Sequence, residues 1–434
     1  MILVYSHKIT PRLTYVFRQI FIRILELPVD FTSAIERFVS HSGPKLSYTH
    51  QPLGKEFFIA SQDLLFQKGI QEIPIEIDNW SGIPAFFKLD KTSQLPYDIF
   101  AASFYLMSRY EEYLPHVKDE WGTFLPYQSL ASKNNFLELP LIDLWAVRLK
   151  DKLHEFFPEL PHISWKDPKF QPIISVVNPY RYKNKSVLLK LADSINALWR
   201  FDFLSIIEQI LVLVGFQKDP HNNFEALESV FKKYKIQPLY FFLFAKNTFY
   251  DRGVSIHNHN FRNLIKNLSD SNKVSLLASF EAQKEFKTLN RERGHLKNLI
   301  IKKIDSLRFN FGLSTASAAY SNLLEHEIQE DYSMGYIDEL GYRASTAVPF
   351  YFYDLNNDLQ TSLKIYPIVA DEQGLRKFSG QKAFKRLEML YQKLPTSSAF
   401  HGVSFSNAIL NYPKIKNKWK DQFINYLQFH AGQK

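Results

Sequence analysis

Behind Thr10-Pro11, an N-cap followed by proline at the first helical position, apolar side chains recur at Leu13, Val16, Phe17, Ile20, Phe21 and Ile24. That spacing predicts a helix with one buried face. Residues 29–90 read as short strands and turns, punctuated by Gly43-Pro44, Pro52-Leu53-Gly54 and Gly82. A second helix is predicted from Pro96 through Ile99, Ala102, Phe104 and Met107 to Tyr113, its end carrying Arg109, Tyr110, Glu111 and Glu112. A third, over residues 142–157, runs into Pro158, Pro161 and Pro168, which mark a domain boundary. Beyond it, apolar runs at Ile173–Val177, Leu239–Phe244, Val274–Leu277, Phe350–Tyr353, Leu363–Val369 and Phe400–Phe405 alternate with helical patterns at 187–214, 223–234, 260–269, 281–304, 316–325 and 380–393. This alternation predicts parallel strands with helices outside them; the pattern does not say whether the sheet closes. The chain therefore divides into an α+β domain, 1–165, and an α/β domain, 166–434, with a helical insertion near 187–222.

Composition adds exclusions. At 45% hydrophobic and 22% charged residues the chain can bury a core, which rules out intrinsic disorder. With 38 Phe and 23 Tyr against 15 Gly it is suited to apolar pockets, and it has neither a G-x-x-x-x-G-K-[ST] loop nor a G-x-G-x-x-G loop for phosphate. Lacking cysteine, it has no disulfide, thiolate zinc site, iron–sulfur cluster or Cys nucleophile. No basic-then-apolar leader is visible at the start, and the apolar run 203–216 contains Glu208 and Gln209 and is too short to span a bilayer. A soluble, cytoplasmic protein is expected. The net charge is +9, and residues 371–434, with eleven Lys/Arg against four Asp/Glu, hold +7 of it. Lys414, Lys416, Lys418 and Lys420 around Trp419 read as a solvated basic face, so no specific nucleic-acid partner is expected.

The residues alone offer few reactive groups. There is no G-x-S-x-G, H-E-x-x-H or EF-hand loop. His257 and His259 would share a face if they lay on a strand and could then chelate a metal, but Asp251, Arg252, Gly253, Asn258 and Asn260 around them read as a polar loop. Glu325-His326-Glu327 reads as a helix end. His401 lies at the end of an apolar strand, the position that faces the ligand crevice in α/β folds.

Longer stretches carry a resemblance. Asp331-Tyr332-Ser333-Met334-Gly335-Tyr336, Gly341-Tyr342-Arg343-Ala344-Ser345 and Pro349-Phe350-Tyr351-Phe352-Tyr353-Asp354-Leu355 resemble polysaccharide deacetylases of the NodB-homology class. Tyr5-Ser6-His7-Lys8-Ile9-Thr10-Pro11-Arg12, Gln51-Pro52-Leu53-Gly54, Tyr97–Tyr105 and Ser108–Tyr113 resemble its Bacteroidetes subgroup, which has an extra N-terminal domain. The resemblance implies a distorted (β/α) barrel of about seven strands after residue 166. It also implies chemistry in which an Asp and two imidazoles hold a divalent metal, a second Asp takes a proton from water and a late-strand His protonates the leaving amine.

Carried over position by position, most of those groups are replaced. In Ile174-Ser175-Val176-Val177-Asn178-Pro179-Tyr180-Arg181-Tyr182, Ser175 and Val177 stand where carboxylates are expected. Leu277 replaces a metal-binding His, Leu307-Arg308-Phe309 stands for an Arg-Gln-His type segment, and Ser406-Asn407 lacks the late His unless His401 substitutes. Arg343, which orients the catalytic Asp in active members, is retained and is expected to pair with Asp331, Asp338, Asp354 or backbone carbonyls. The resemblance thus implies a catalytically degenerate protein with a glycan-binding or scaffolding role and no metal cofactor. Its partner would be a glycan or an active paralogue. Arg343, His401 and Asn178 are the remaining catalytic candidates, and Tyr180, Tyr182 and Tyr342 the substrate-binding ones. The alternative is an active deacetylase or hydrolase with a site remodelled around His257, His259 or His401.

Overall fold

A computed structural model describes residues 1–161, 167–184, 191, 194–195, 198–199, 201–314, 316–325, 327–411 and 419–432. Thr10 caps the first helix: its Oγ1 accepts a hydrogen bond from Leu13 N at 3.1 Å. The helix Pro11–Arg18 runs on as a wider π-helical turn, Gln19–Ile24, and the six predicted apolar positions are all buried. It packs beside the helix Ile99–Met107, which Asp98 caps through Phe100 N and Ala101 N, and Phe17 stacks on Phe100 with centroids 3.8 Å apart. Next to them lies a four-stranded parallel sheet in the order β2-β1-β3-β4, formed by β1 (Ile2–Tyr5), β2 (Val29–Thr32), β3 (Lys45–Thr49) and β4 (Phe57–Ala60). A small hairpin of β5 (Asp78–Trp80) and β6 (Ile83–Ala85) and the helix Leu141–Phe156 complete this layer.

The second half is a closed barrel. Seven parallel strands, β7 (Lys169–Val176), β8 (Leu239–Phe242), β9 (Lys273–Ala278), β10 (Ser306–Phe309), β11 (Glu330–Met334), β13 (Leu359–Asp371) and β14 (Phe400–Ser406), pair in the order β11-β10-β9-β8-β7-β14-β13, and β11 pairs back onto β13. The fold is thus a distorted (β/α) barrel preceded by an α+β layer.

Three details depart from the pattern. β12 (Phe350–Asp354), expected among the parallel strands, runs antiparallel to the first half of β13 and stands outside the ring. Strands β10 and β11 were not visible as apolar runs because they are short and carry Ser306, Arg308, Asp331 and Ser333, all buried. The helix Trp419–Ala431, within the basic C-terminal stretch, buries Phe423, Tyr426 and Leu427. Of the helical pattern at 187–214, the helix Phe203–Val214 is described, and much of 185–200 lies outside the described residues.

One continuous apolar core runs through both halves. Polar clamps join them: Tyr15 OH donates to Tyr351 O at 2.8 Å, Arg12 Nε meets Asp358 Oδ1 at 2.7 Å, and Asp143 accepts from Thr346 Oγ1 at 2.5 Å and Ala347 N at 2.8 Å. Gly341, with φ +136°, lies so close to the Leu137 carbonyl that no side chain fits there.

Candidate functional site

In closed parallel barrels ligands sit at the C-terminal ends of the strands. Here the barrel interior leading up to that mouth is apolar, from Phe400 at the start of β14 to Leu243 and Ala245 beyond the end of β8. Ile173, Phe241, Leu243, Ala245, Leu277, Tyr332, Ile368 and Phe400 form a cluster of their own, with Val177 packed against it. Ser175 Oγ is 3.1 Å from Ser404 Oγ, and each is the other's partner. The three positions that the deacetylase resemblance assigns to two carboxylates and a metal-binding His are thus gathered in one region. They offer one hydroxyl, already engaged, and two hydrocarbon side chains. This donor set does not fit a divalent metal. Among the described residues no three His, Cys, Asp or Glu side chains come together to hold one.

Four polar groups stand around this apolar interior. Arg308 reaches from β10 to Asp371 Oδ2 (2.8 Å) and donates to Tyr332 O (2.5 Å). Glu372 accepts from Ser406 N (2.7 Å) and Ser406 Oγ (3.1 Å), and burial raises its pKa. On the far side Asp251 accepts from Phe280 N (2.8 Å) and Asn310 Nδ2 (3.0 Å), with its pKa raised by burial. Beside it Glu292 accepts from Ser279 Oγ (2.6 Å) and Ser279 N (3.2 Å), and burial pushes its carboxyl up to about 7. Asp251 was legible only as part of a polar loop, and Glu292, in the middle of a helix, carried no sequence signal.

The first half of the chain contributes directly. Trp121 stacks on Phe311 (centroids 5.0 Å apart, planes at 17°) and meets Phe280 and Tyr250 edge-on at 5.6 and 5.4 Å. Next to this aromatic group is a cleft of about 380 Å³ lined by Asp119, Trp121 and Phe124 from the first half and by Phe311, Tyr336, Asp338, Arg343 and Gln373 from the barrel. A larger cavity, about 1310 Å³, opens at the opposite end of the strands, among Lys169, Phe170, Gln171, Gln237 and Pro238. Barrel topology favours the smaller cleft, because the larger one meets only strand beginnings.

Arg343 holds one edge of that cleft. Its partner is none of the three expected aspartates but Glu112, from the first half: Nε to Oε1 at 2.8 Å and Nη2 to Oε2 at 2.9 Å. The expected backbone carbonyl is present as Leu313 O, at 3.0 Å from Nη1. Arg109 adds a bond from its Nε to Glu112 Oε1 at 2.8 Å, a pairing with Glu111 and a contact to Arg343 O. Burial alone would raise the Glu112 carboxyl, but Arg343 and Arg109 overcome it and hold it at about 2. Glu112 lies 231 residues before Arg343, so no local motif could pair them.

The other candidates scatter. His401 is at the beginning of β14, not at its mouth end. Five residues of strand, about 16 Å, separate it from Ser406. It is buried, its Nε2 lies 2.8 Å from Tyr426 OH, and burial together with His430 holds its pKa well below the usual imidazole value. Asn178 follows β7, and its backbone O accepts from His221 Nδ1 and Asn407 Nδ2, both at 3.1 Å. Tyr182 OH donates to Glu208 (2.8 Å), facing the 203–214 helix rather than the cleft. Tyr180 is buried in the shared core, and Tyr342 is buried where the halves meet, its N bonded to Leu137 O at 2.8 Å. His257 and His259 are exposed around Asn258, the N-cap of the helix His259–Ser271, in the loop setting their neighbours suggested. His326, Lys414, Lys416 and Lys418 lie outside the described residues; Trp419 is buried against Phe384 and offers no exposed ring.

A family of unknown function (DUF7033) matches residues 2–158. No curated protein shows significant similarity to the chain. Among solved structures, the chain is similar to a polysaccharide deacetylase of Mycobacterium smegmatis described as putative (10% identity, 63% of this chain and 87% of that one, TM-score 0.39). It is also similar to Puue allantoinase (10% identity, 60% and 84%, TM-score 0.39) and to a probable polysaccharide deacetylase of Pseudomonas aeruginosa PAO1 (11% identity, 60% and 85%, TM-score 0.38). No helix among the described residues is long and apolar enough to cross a membrane.

Proposed function

We propose that this chain is a catalytically degenerate, polysaccharide deacetylase-like barrel that binds glycan in the cleft between its two halves and resides in the cytoplasm. The observation that carries the reading is Trp121, brought over the barrel mouth by the first half and joined to Phe280, Phe311 and Tyr250. A cleft walled by aromatic faces and edged by Asp119, Asp338, Gln373 and Arg343 matches the two needs of a sugar ring: an apolar platform for its C–H face and polar groups for its hydroxyls. Degeneracy is supported by Val177 and Leu277, which belong to the apolar region at the mouth where active relatives would need ligands. A second reading, an active hydrolase with a remodelled site, draws on Glu292, whose carboxyl at about 7 suits proton exchange near neutrality.

The test is calorimetric titration of the full chain with chitooligosaccharides and acetylated peptidoglycan fragments, together with an acetate-release assay. Saturable binding, weakened about tenfold or more in Trp121→Ala, with no acetate released, is expected. Absence of binding to every glycan would remove the glycan reading. Acetate release abolished by Glu292→Gln would establish the second one.

A further inference from the structure

The insertion between β7 and β8 carries a helix built inside out. In Phe203–Val214 the polar residues face the body of the protein. Glu208 pairs with Arg181 Nη1 (3.3 Å) and accepts from Tyr182 OH (2.8 Å), Ser205 Oγ lies 3.3 Å from Arg181 Nη2, and Gln209 Oε1 accepts from Ser194 Oγ (3.0 Å). The opposite face, Phe203, Leu204, Ile207, Ile210, Leu211 and Val214, is open to solvent, with Leu204 73% exposed. Aromatic rings flank it: Trp199 (81%) and Phe201 (80%) before the helix, Phe216 (82%) after it. Scattered apolar side chains on a surface need no explanation, but a contiguous face of this size does.

We propose that this face docks the protein on an anionic lipid bilayer, lying in the interface without spanning it. The helix has 12 residues, about 18 Å of length, well short of the roughly 30 Å hydrocarbon core. Its exposed face has no polar side chain, so it offers none of the directional hydrogen bonds with which protein interfaces fix their register. Rings at both ends suit the headgroup boundary, where amphipathic aromatics collect. Charge points the same way: residues 181–218 contain six Lys/Arg and three Asp/Glu. Glu208 pairs with Arg181, which leaves five Lys/Arg against two Asp/Glu, and Lys218 is exposed. Because the insertion leaves the barrel from the end of β7, docking would hold the mouth beside the membrane surface. The inference does not depend on what occupies the cleft.

The experiment uses the full chain, with vesicles of phosphatidylcholine alone or mixed with phosphatidylglycerol, read by co-sedimentation and tryptophan emission. Binding to the mixed vesicles is expected, with emission shifting to the blue, and it should weaken as salt is added. The variant Leu204→Gln/Ile207→Gln/Val214→Gln changes only exposed positions. It should keep its melting temperature and lose binding by about tenfold or more. Wild-type protein that ignores both vesicles, or a variant that binds undiminished, overturns the proposal. So does a wild-type dimer in sedimentation velocity that the variant disperses without any vesicle binding, an outcome that assigns the face to a second copy of the chain.

Discussion

Removing Glu112 should be among the most damaging single changes in this protein. The carboxylate is buried and takes three charge-assisted bonds, from Arg109 Nε and from Nε and Nη2 of Arg343. With Glu111 included, the cluster holds two positive and two negative charges. Glu112→Ala leaves two buried guanidiniums and one carboxylate, and an uncompensated buried charge costs about 3–5 kcal/mol. The bonds to Arg343 alone, taken as an ordinary charged hydrogen bond, would suggest only about 1–3 kcal/mol for Arg343→Ala. Full burial of the partner carboxylate moves that figure up as well. For 434 residues the entropy of unfolding near the midpoint is about 0.9 kcal/mol/K, so the loss should lower Tm by roughly 3–6 °C. Scanning calorimetry would read it, with Asp30→Ala as reference, since the Asp30–Arg37 pair is exposed and worth less than about 1 kcal/mol. The double variant Glu112→Ala/Arg343→Ala leaves Arg109 with Glu111 and should cost clearly less than Glu112→Ala and Arg343→Ala added. The reasoning is refuted if Glu112→Ala melts like Asp30→Ala, or if the double cycle is additive.

Three further outcomes are expected. Burial pushes the Asp143 carboxyl from 3.8 to about 7, so the folded state keeps a proton that the unfolded chain releases. Stability from this group is complete below about pH 4 and is lost as pH rises to about 7, at most roughly 4 kcal/mol, and urea titrations of Asp143→Asn across that window should show a flatter slope than wild type. Glu292→Gln should flatten the slope separately, because it too is raised to about 7 and it shares no hydrogen-bond partner with Asp143: Glu292 holds Ser279, and Asp143 holds Thr346 and Ala347. Elemental analysis of protein purified without a His tag should find well under one equivalent of zinc, nickel or cobalt, and Ser175→Asp/Val177→Asp/Leu277→His should raise metal uptake before any turnover; stoichiometric metal in the wild type counters the degenerate reading.

What the sequence revealed depended on the range of the interaction. Helical and strand periodicity is local, so the capped helix at Thr10 and the apolar runs of β7, β9 and β14 were visible in the chain. Strands β10 and β11 escaped because they are short and interrupted by polar residues on both faces: Arg308 pairs with Asp371, and Asp331 accepts from Tyr320 OH of the helix outside, both pairings made only in the folded state. His401 differs from its expected place because of the strand's extent: β14 does not end near His401 but begins at Phe400 and runs to Ser406, so the C-terminal end at the mouth is five residues further on. Trp121 lay in no motif, and Glu112 lay in one that gave no hint of its partner; both matter through contacts made across the fold.

Those two residues also explain why the first half belongs to the site rather than beside it. They lie nine positions apart, on the stretch that follows the helix Ile99–Met107. One end of that stretch is anchored by Glu112 on Arg343; the other places Trp121 on Phe311. Arg343 is a buried charge, and such a charge persists only where an acid satisfies it. Glu112 supplies that acid from the other half of the chain. The same ion pair that keeps Arg343 in place thus fixes the position of the segment carrying Trp121. Through Glu112, Arg343 thereby helps to hold the cleft's aromatic wall over the barrel.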